Sequence, residues 1–143
     1  MAEVSKVRQR VLTMIERAGR DAAERRARAD VAVERAGWFM QDSVTPVARQ
    51  VLSVLRVEGF QFRLSTPPGS VRLVSVKHHE DFIDFAVDTT QDPVVIMTLV
   101  SHLRGQRVST TERPLANGVA VDQLTEEHVL AFLLAALPVF VAR

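Results

Sequence analysis

The feature that most constrains this chain is an apolar run near its C-terminus. Between Val129 and Ala142 no side chain carries a charge or a strong hydrogen-bonding group, so a helix built from this run is apolar on every side. Such a helix needs cover all round. The run is shorter than the roughly 20 residues of a membrane span and contains Pro138. We therefore expect it to pack on a sheet of this chain and, on another side, on the N-terminal helix or a second copy.

Composition favours one globular domain with an appendage. The chain has 143 residues, of which 47% are hydrophobic and 24% charged, with a net charge of +1. That balance is typical of folded proteins and gives no electrostatic argument for nucleic acid or acidic membranes. There is no cysteine, which excludes disulfides and thiolate chemistry and suits a reducing compartment. We expect a cytoplasmic protein.

The sequence from Glu3 to about Ala36 is rich in Ala, Arg and Glu and predicts one long helix. An apolar seam with heptad spacing runs along its first half: Val4, Val7, Val11, Met14 and Ala18. The seam then slips by four residues and continues through Ala22, Arg25, Ala29, Ala32 and Ala36. Alanine offers little area for burial on the chain's own core, so we expect this helix to project or to pair with another helix. Gly37 is expected to end or bend it, with Trp38 anchoring the junction.

The remaining sequence predicts an α+β fold. Thr45-Pro46 is a helix start, and the second helix should stop at Gly59. Five strands are predicted over 60–64, 71–78, 83–88, 93–103 and 107–112, and the apolar C-terminal helix follows them. We predict a long N-terminal helix, a second helix, a five-stranded antiparallel meander and a C-terminal apolar helix packed on the sheet. We expect the chain to divide into a helical extension over 1–40 and an α+β domain over 41–143. Consecutive apolar residues from Val94 to Met97 favour cover on both sheet faces.

No motif in the sequence specifies a reaction. The run His78-His79-Glu80-Asp81 is the one group that resembles metal ligands, but it lacks the spacing of known sites and reads better as a solvated hairpin tip. Asp84 and Asp88 share one strand face about 13 Å apart, too far for a hydrolytic carboxylate pair. Neither a phosphate-binding glycine loop nor a nucleophile motif is present. We expect no cofactor and disfavour an enzyme.

Nucleic acid is also disfavoured as a partner. Arg20, Arg25, Arg26 and Arg28 could contact phosphates, but acidic residues alternate with them, a pattern that more often makes pairs within a helix. No aromatic residue is interleaved with these arginines to stack on bases.

These patterns favour a non-catalytic, self-associating interaction module, an adaptor or scaffold that uses its terminal helices. A dimer is the favoured assembly, and a partner protein is the other possibility; a membrane is disfavoured. The expected interface residues are Val7, Val11, Met14 and Ala18 of the seam, with Leu130, Leu134, Leu137 and Val141 of the last helix.

An alternative function is the binding of a small apolar or lipid-like ligand. A curved meander crossed by an apolar helix can enclose a pocket. Its expected lining is aromatic and sulfur-bearing: Phe62, Phe85, Met97, Phe132 and Phe140.

Overall fold

Helical structure runs almost without interruption from Ala2 to Val57. The computed structural model describes residues 2 to 142, with helix α1 over Ala2–Phe39, a π-helical turn over Met40–Val44 and helix α2 over Thr45–Val57. The predicted long N-terminal helix and second helix are therefore present, but they are joined end to end. The expected break at Gly37 is absent, because Ala36 and Met40 on either side of Gly37 are buried in the core and hold the helix in place.

The π turn accommodates the proline that follows it. Pro46 has no N–H, and in an α-helix its ring would clash with the carbonyl four residues earlier. The Thr45 N–H bonds instead to the carbonyl of Met40, five residues back, and the Thr45 hydroxyl donates to the same oxygen at 3.0 Å. Thr45 is thus not the first cap of a separate helix, as its sequence predicted, but part of a widened turn.

Trp38 does not anchor the junction. Its side chain is 56% exposed. At 100° per residue, Trp38 lies on the side of the helix away from Ala36 and Met40, which both face the core. Phe39, half-buried against the core, and the buried Met40 do the anchoring instead.

Five strands form one antiparallel sheet in chain order. They are β1 Phe62–Ser65, β2 Ser70–Ser75, β3 Phe82–Asp88, β4 Val95–Arg104 and β5 Arg107–Pro114, in the order β1-β2-β3-β4-β5. The predicted meander is confirmed. The β4–β5 hairpin closes through Gly105 and Gln106, and Gly105 takes the positive φ of 65° that such a tight turn favours.

The chain ends in two short helices. Helix α3 spans Glu126–Ala136 and α4 spans Pro138–Val141. Thr125 caps α3, and the ring of His128 completes the cap, since its Nδ1 accepts the Thr125 N–H at 3.0 Å. His128 stands where such a cap usually has Glu or Gln, and its imidazole nitrogen supplies the acceptor.

One face of the sheet carries the hydrophobic core. The end of α1, the π turn, α2, α3 and α4 all contribute to it, together with Val71, Leu73, Ile83, Phe85 and Ile96 of the strands. The apolar last helix is therefore covered by the sheet on one side and by α2 and the π turn on another. The predicted packing of the last helix on the sheet is confirmed. Its other side packs against α2 and the π turn, rather than against the seam of the long helix.

The opposite sheet face lies outside the core. It holds Val74, Phe82, Met97 and Leu99, each half-buried and none a member of the core cluster. The guanidinium of Arg72 lies 4.3 Å from the centre of the Phe82 ring. The expectation that both faces are covered is not met within residues 2–142, because neighbouring side chains on this face shelter one another instead.

Gly37 gives a test of the continuous helix. Its backbone has a negative φ, and an added Cβ would meet no atom within 4 Å. Gly37→Ala should therefore raise the free energy of unfolding by about 0.5–1 kcal/mol, since glycine costs that much in a helix interior. Urea unfolding followed by circular dichroism measures the change. A destabilised variant would instead mean that the helix bends at this position in solution.

Candidate interaction surface

Most of α1 extends away from the rest of the protein. From Glu3 to Arg26 every residue is exposed except the half-buried Ala22. We call residues 3–26 the free segment. At 1.5 Å per residue it is about 36 Å long. Ala27 and Arg28 are the first residues of α1 to border the groove between this helix and the body. The structure therefore presents the free segment as a helix packed on nothing else in the described chain.

The free segment carries an exposed apolar stripe. It contains the predicted seam residues Val4, Val7, Val11, Met14 and Ala18, and sequence analysis missed one further member, Ile15. Val11 is 44% exposed and Ile15 is 55% exposed. Ile15 follows Val11 by four residues and so lies on the same side of the helix; that spacing was the signal available in the sequence. We call these six residues the N-terminal stripe.

The N-terminal stripe and the attachment to the body lie on one side of α1. Ala29 and Ala32 are half-buried, and Ala36 is fully buried. They follow Val11, Met14 and Ala18 by eighteen residues each, which is five turns of 3.6 residues. The slipped continuation of the seam is thus the face that the body covers, whereas the stripe itself is left uncovered by the described residues.

A half-open groove flanks the attachment. It has a volume of about 450 Å³ and lies between α1, at Ala27 and Val31, and the body, at Val94 and Val121. The guanidinium of Arg35 and the carboxylate of Asp122 form an ion pair at 3.8 Å beside it, with both side chains about half exposed. A pair so exposed contributes little stability, so apolar contacts at the end of α1, including those of Ala36 and Phe39, hold the helix to the body.

The predicted interface residues of the last helix are divided between core and surface. Leu134 is 61% exposed, Leu130 and Val141 are half-buried, and Leu137 is only 6% exposed within the core. Leu137 is therefore not accessible to a partner. What remains on the outer side of α3 is a small apolar surface around Leu134.

The residues predicted to line a ligand pocket do not surround one space. Phe85 and Phe132 pack edge to face with ring centres 5.4 Å apart, and Phe62 packs in the same way on Phe140 at 5.7 Å. These two ring pairs pack the sheet against the C-terminal helices. Met97 lies on the opposite sheet face.

The four residues that resemble metal ligands differ in burial. Asp81 is buried, and its Oδ1 accepts the backbone N–H of Leu103 at 2.7 Å, whereas His78, His79 and Glu80 are exposed. Among residues 2–142 no group of three or more His, Asp or Glu side chains is placed to hold a metal ion.

Asp84 and Asp88 also have structural partners. Asp84 pairs with Arg72 at 3.3 Å. Asp88 accepts hydrogen bonds from the side chains of Thr90 and Gln91 and from the Thr90 backbone N–H, and these bonds lower the pKa of its carboxyl. The two carboxylates therefore stabilise a strand and a turn, and their geometry supports no hydrolytic pair.

Comparison with known proteins adds no family. No family model, curated protein or solved structure matches this chain. In the part of the chain that the structure describes, every helix is too short or too polar to cross a bilayer. The N-terminal stripe is a row of exposed apolar side chains along one helix.

Proposed function

We propose that this protein is a non-catalytic interaction module that self-associates through the N-terminal stripe. One observation carries the proposal: a helix of about 36 Å presents a row of valine, methionine and isoleucine side chains that its own body does not cover. A contiguous exposed apolar surface of this kind marks an interaction site in a folded protein.

Helix stability supports the same proposal. A helix gains most of its stability in a protein from packing one apolar face, and an isolated helix is marginal in water. The free segment has no such packing within the described chain, and it contains Gly19, which lowers helix propensity further. Burial of the N-terminal stripe against a partner supplies the missing stabilisation.

A second copy is the partner we infer. The large side chains of the free segment, from Val4 to Ile15, precede the small ones, Ala18 and Ala22. A surface with a large half and a small half complements itself when one copy is reversed. The absence of cysteine is compatible with a reducing compartment, and a cytoplasmic location belongs to the same proposal.

The two other surfaces support a function less well. The outer side of α3 exposes little apolar surface. Leu134 is exposed there, but Leu130 and Val141 are half-buried. The residues expected to line a ligand pocket pack as two separate ring pairs, Phe85–Phe132 and Phe62–Phe140. We assign neither surface a function.

Light scattering after size-exclusion chromatography tests the proposal. At tens of micromolar the wild-type protein should have at least twice the 15.9 kDa mass of one chain. Val11→Asp should return it to the mass of one chain, because the pairing would bury an unpaired carboxylate.

Gln9→Asp is the matched control. Gln9 is exposed and lies on the opposite side of the helix, two residues from Val11. The substitution therefore adds the same charge as Val11→Asp but places it away from the stripe. Its mass should equal that of the wild type. A wild-type protein that stays a single chain throughout this concentration range would refute self-association. If both aspartate variants dissociate equally, the N-terminal stripe is not the surface through which the copies associate.

A further inference from the structure

The body of the protein restricts how a second copy can lie on the N-terminal stripe. Ala29, Ala32 and Ala36 continue the line of the stripe, and the body lies against them. Paired helices run with their axes 8–10 Å apart. A parallel partner helix would therefore meet the first body in its second half, and its own body would occupy the same space. An antiparallel partner directs its own body away from the first one.

The length of the free segment fixes a register for the antiparallel pair. Residues 3–26 are free of the groove that begins at Ala27, so two free segments overlap fully when their centres, between Met14 and Ile15, coincide. In that register Val11 faces Ala18 of the second copy, Val7 faces Ala22, and Met14 faces Ile15. Val7 and Val11 each meet an alanine, which permits close packing, and Val4 meets Arg25 at the end of the overlap.

The flanking charges agree with this register. Lys6, Arg10, Asp21 and Glu24 lie on one flank of the stripe at 100° per residue. In the antiparallel pair Lys6 comes level with Glu24 of the second copy and Arg10 with Asp21, within about two residues. Asp21 also lies one turn from Arg17 on its own helix and offsets that charge.

A parallel pair in register has the opposite electrostatics. In a two-fold parallel pair each flank of the stripe meets the other flank of the second copy, so Lys6 and Arg10 would lie near Arg8 of the second copy, and like charges repel. Steric access, side-chain size and charge therefore favour the same direction.

We infer that two copies pair antiparallel over residues 4–25, with a two-fold axis between Met14 and Ile15 and the two bodies at opposite ends. This inference rests on the proposed self-association and adds its direction and register.

Single cysteines test the inference in a chain that has none of its own. A disulfide needs Cα atoms within about 7 Å. In the antiparallel pair the two copies of residue 15 lie beside the axis, whereas the two copies of residue 4 are separated by about 32 Å along the helix. Ile15→Cys should therefore form covalent dimers at least about tenfold faster than Val4→Cys under mild oxidation.

A mixture of two variants checks the register. Equal amounts of Val11→Cys and Ala18→Cys should give mainly the mixed disulfide, because residue 11 faces residue 18 while each residue is about 10 Å along the axis from its own copy. Mass spectrometry of the oxidised mixture distinguishes the three products.

The outcomes separate this inference from the proposed function. If Val4→Cys cross-links as fast as Ile15→Cys and the mixture gives only homodimers, the pairing is parallel; the inferred direction is then wrong while self-association holds. If all variants keep the mass of one chain and none cross-links, self-association itself fails. If the mixed disulfide dominates at the dimer mass, both hold.

Discussion

Replacing Leu133 by alanine is expected to lower the free energy of unfolding by about 2–5 kcal/mol, the usual cost of truncating a buried leucine. Leu133 is 0% exposed and lies in the core between the sheet and the helices. Removing its three outer carbon atoms loses apolar burial and leaves a cavity that a close-packed core refills only in part. Urea unfolding monitored by circular dichroism gives the difference directly.

Leu134 is the control on the same turn of α3. It is 61% exposed, so Leu134→Ala should change the free energy of unfolding by no more than about 0.5 kcal/mol. The sequence placed Leu134 inside the core or a contact. Equal losses for the two alanine variants would mean that the solvent-facing side of α3 has been placed wrongly.

Replacing Asp81 by alanine is expected to cost about 2–3 kcal/mol. The Asp81 carboxylate is buried and accepts the Leu103 N–H at 2.7 Å, which ties the turn before β3 to the end of β4. Ser101 reinforces the same junction by donating to the carbonyl of Glu80 at 2.7 Å. Alanine leaves the Leu103 N–H without this charged acceptor, and hydrogen bonds to charged groups contribute about 1.5–3 kcal/mol.

Asp81→Asn distinguishes the contribution of the hydrogen bond to Leu103 from that of the packing of the Asp81 side chain. Asparagine keeps an oxygen where the carboxylate Oδ1 lies, so the Leu103 N–H retains an acceptor and the loss should stay below that of alanine by about 1 kcal/mol or more. Denaturant unfolding of both variants at one pH measures the difference. Identical losses would show that the hydrogen bond to Leu103 contributes nothing and that only the packing of Asp81 matters.

The local elements could be predicted from local chemistry. The alternation of Ile83, Phe85 and Val87 with polar or small neighbours assigned β3 and its core face, because successive strand side chains point to opposite faces. Gly105 marked the tight hairpin, and the heptad spacing from Val4 to Ala18 marked a helix with one apolar side. Each of these signals depends on neighbours within a few residues.

The helix junction was harder to predict because two local rules competed with packing. Gly37 indicates the end of one helix, and Thr45-Pro46 indicates the start of another. Burial of Ala36 and Met40 outweighs the cost of the glycine, and the π turn absorbs the proline. Nothing in the spacing of the sequence indicates that a π turn will form here.

The sequence by itself determined which segments are helix or strand and which side of each is apolar. It also determined that the seam of the long N-terminal helix is partly alanine, which offers little area for burial in a core. Only the tertiary structure decided what covers each apolar side. It placed α2 and the π turn against the last helix, left Leu134 in solvent while burying Leu137, and put Met97 on the sheet face away from the core. Periodicity fixes the direction of a side chain relative to its own backbone, whereas burial depends on elements distant in the chain that come to lie against it.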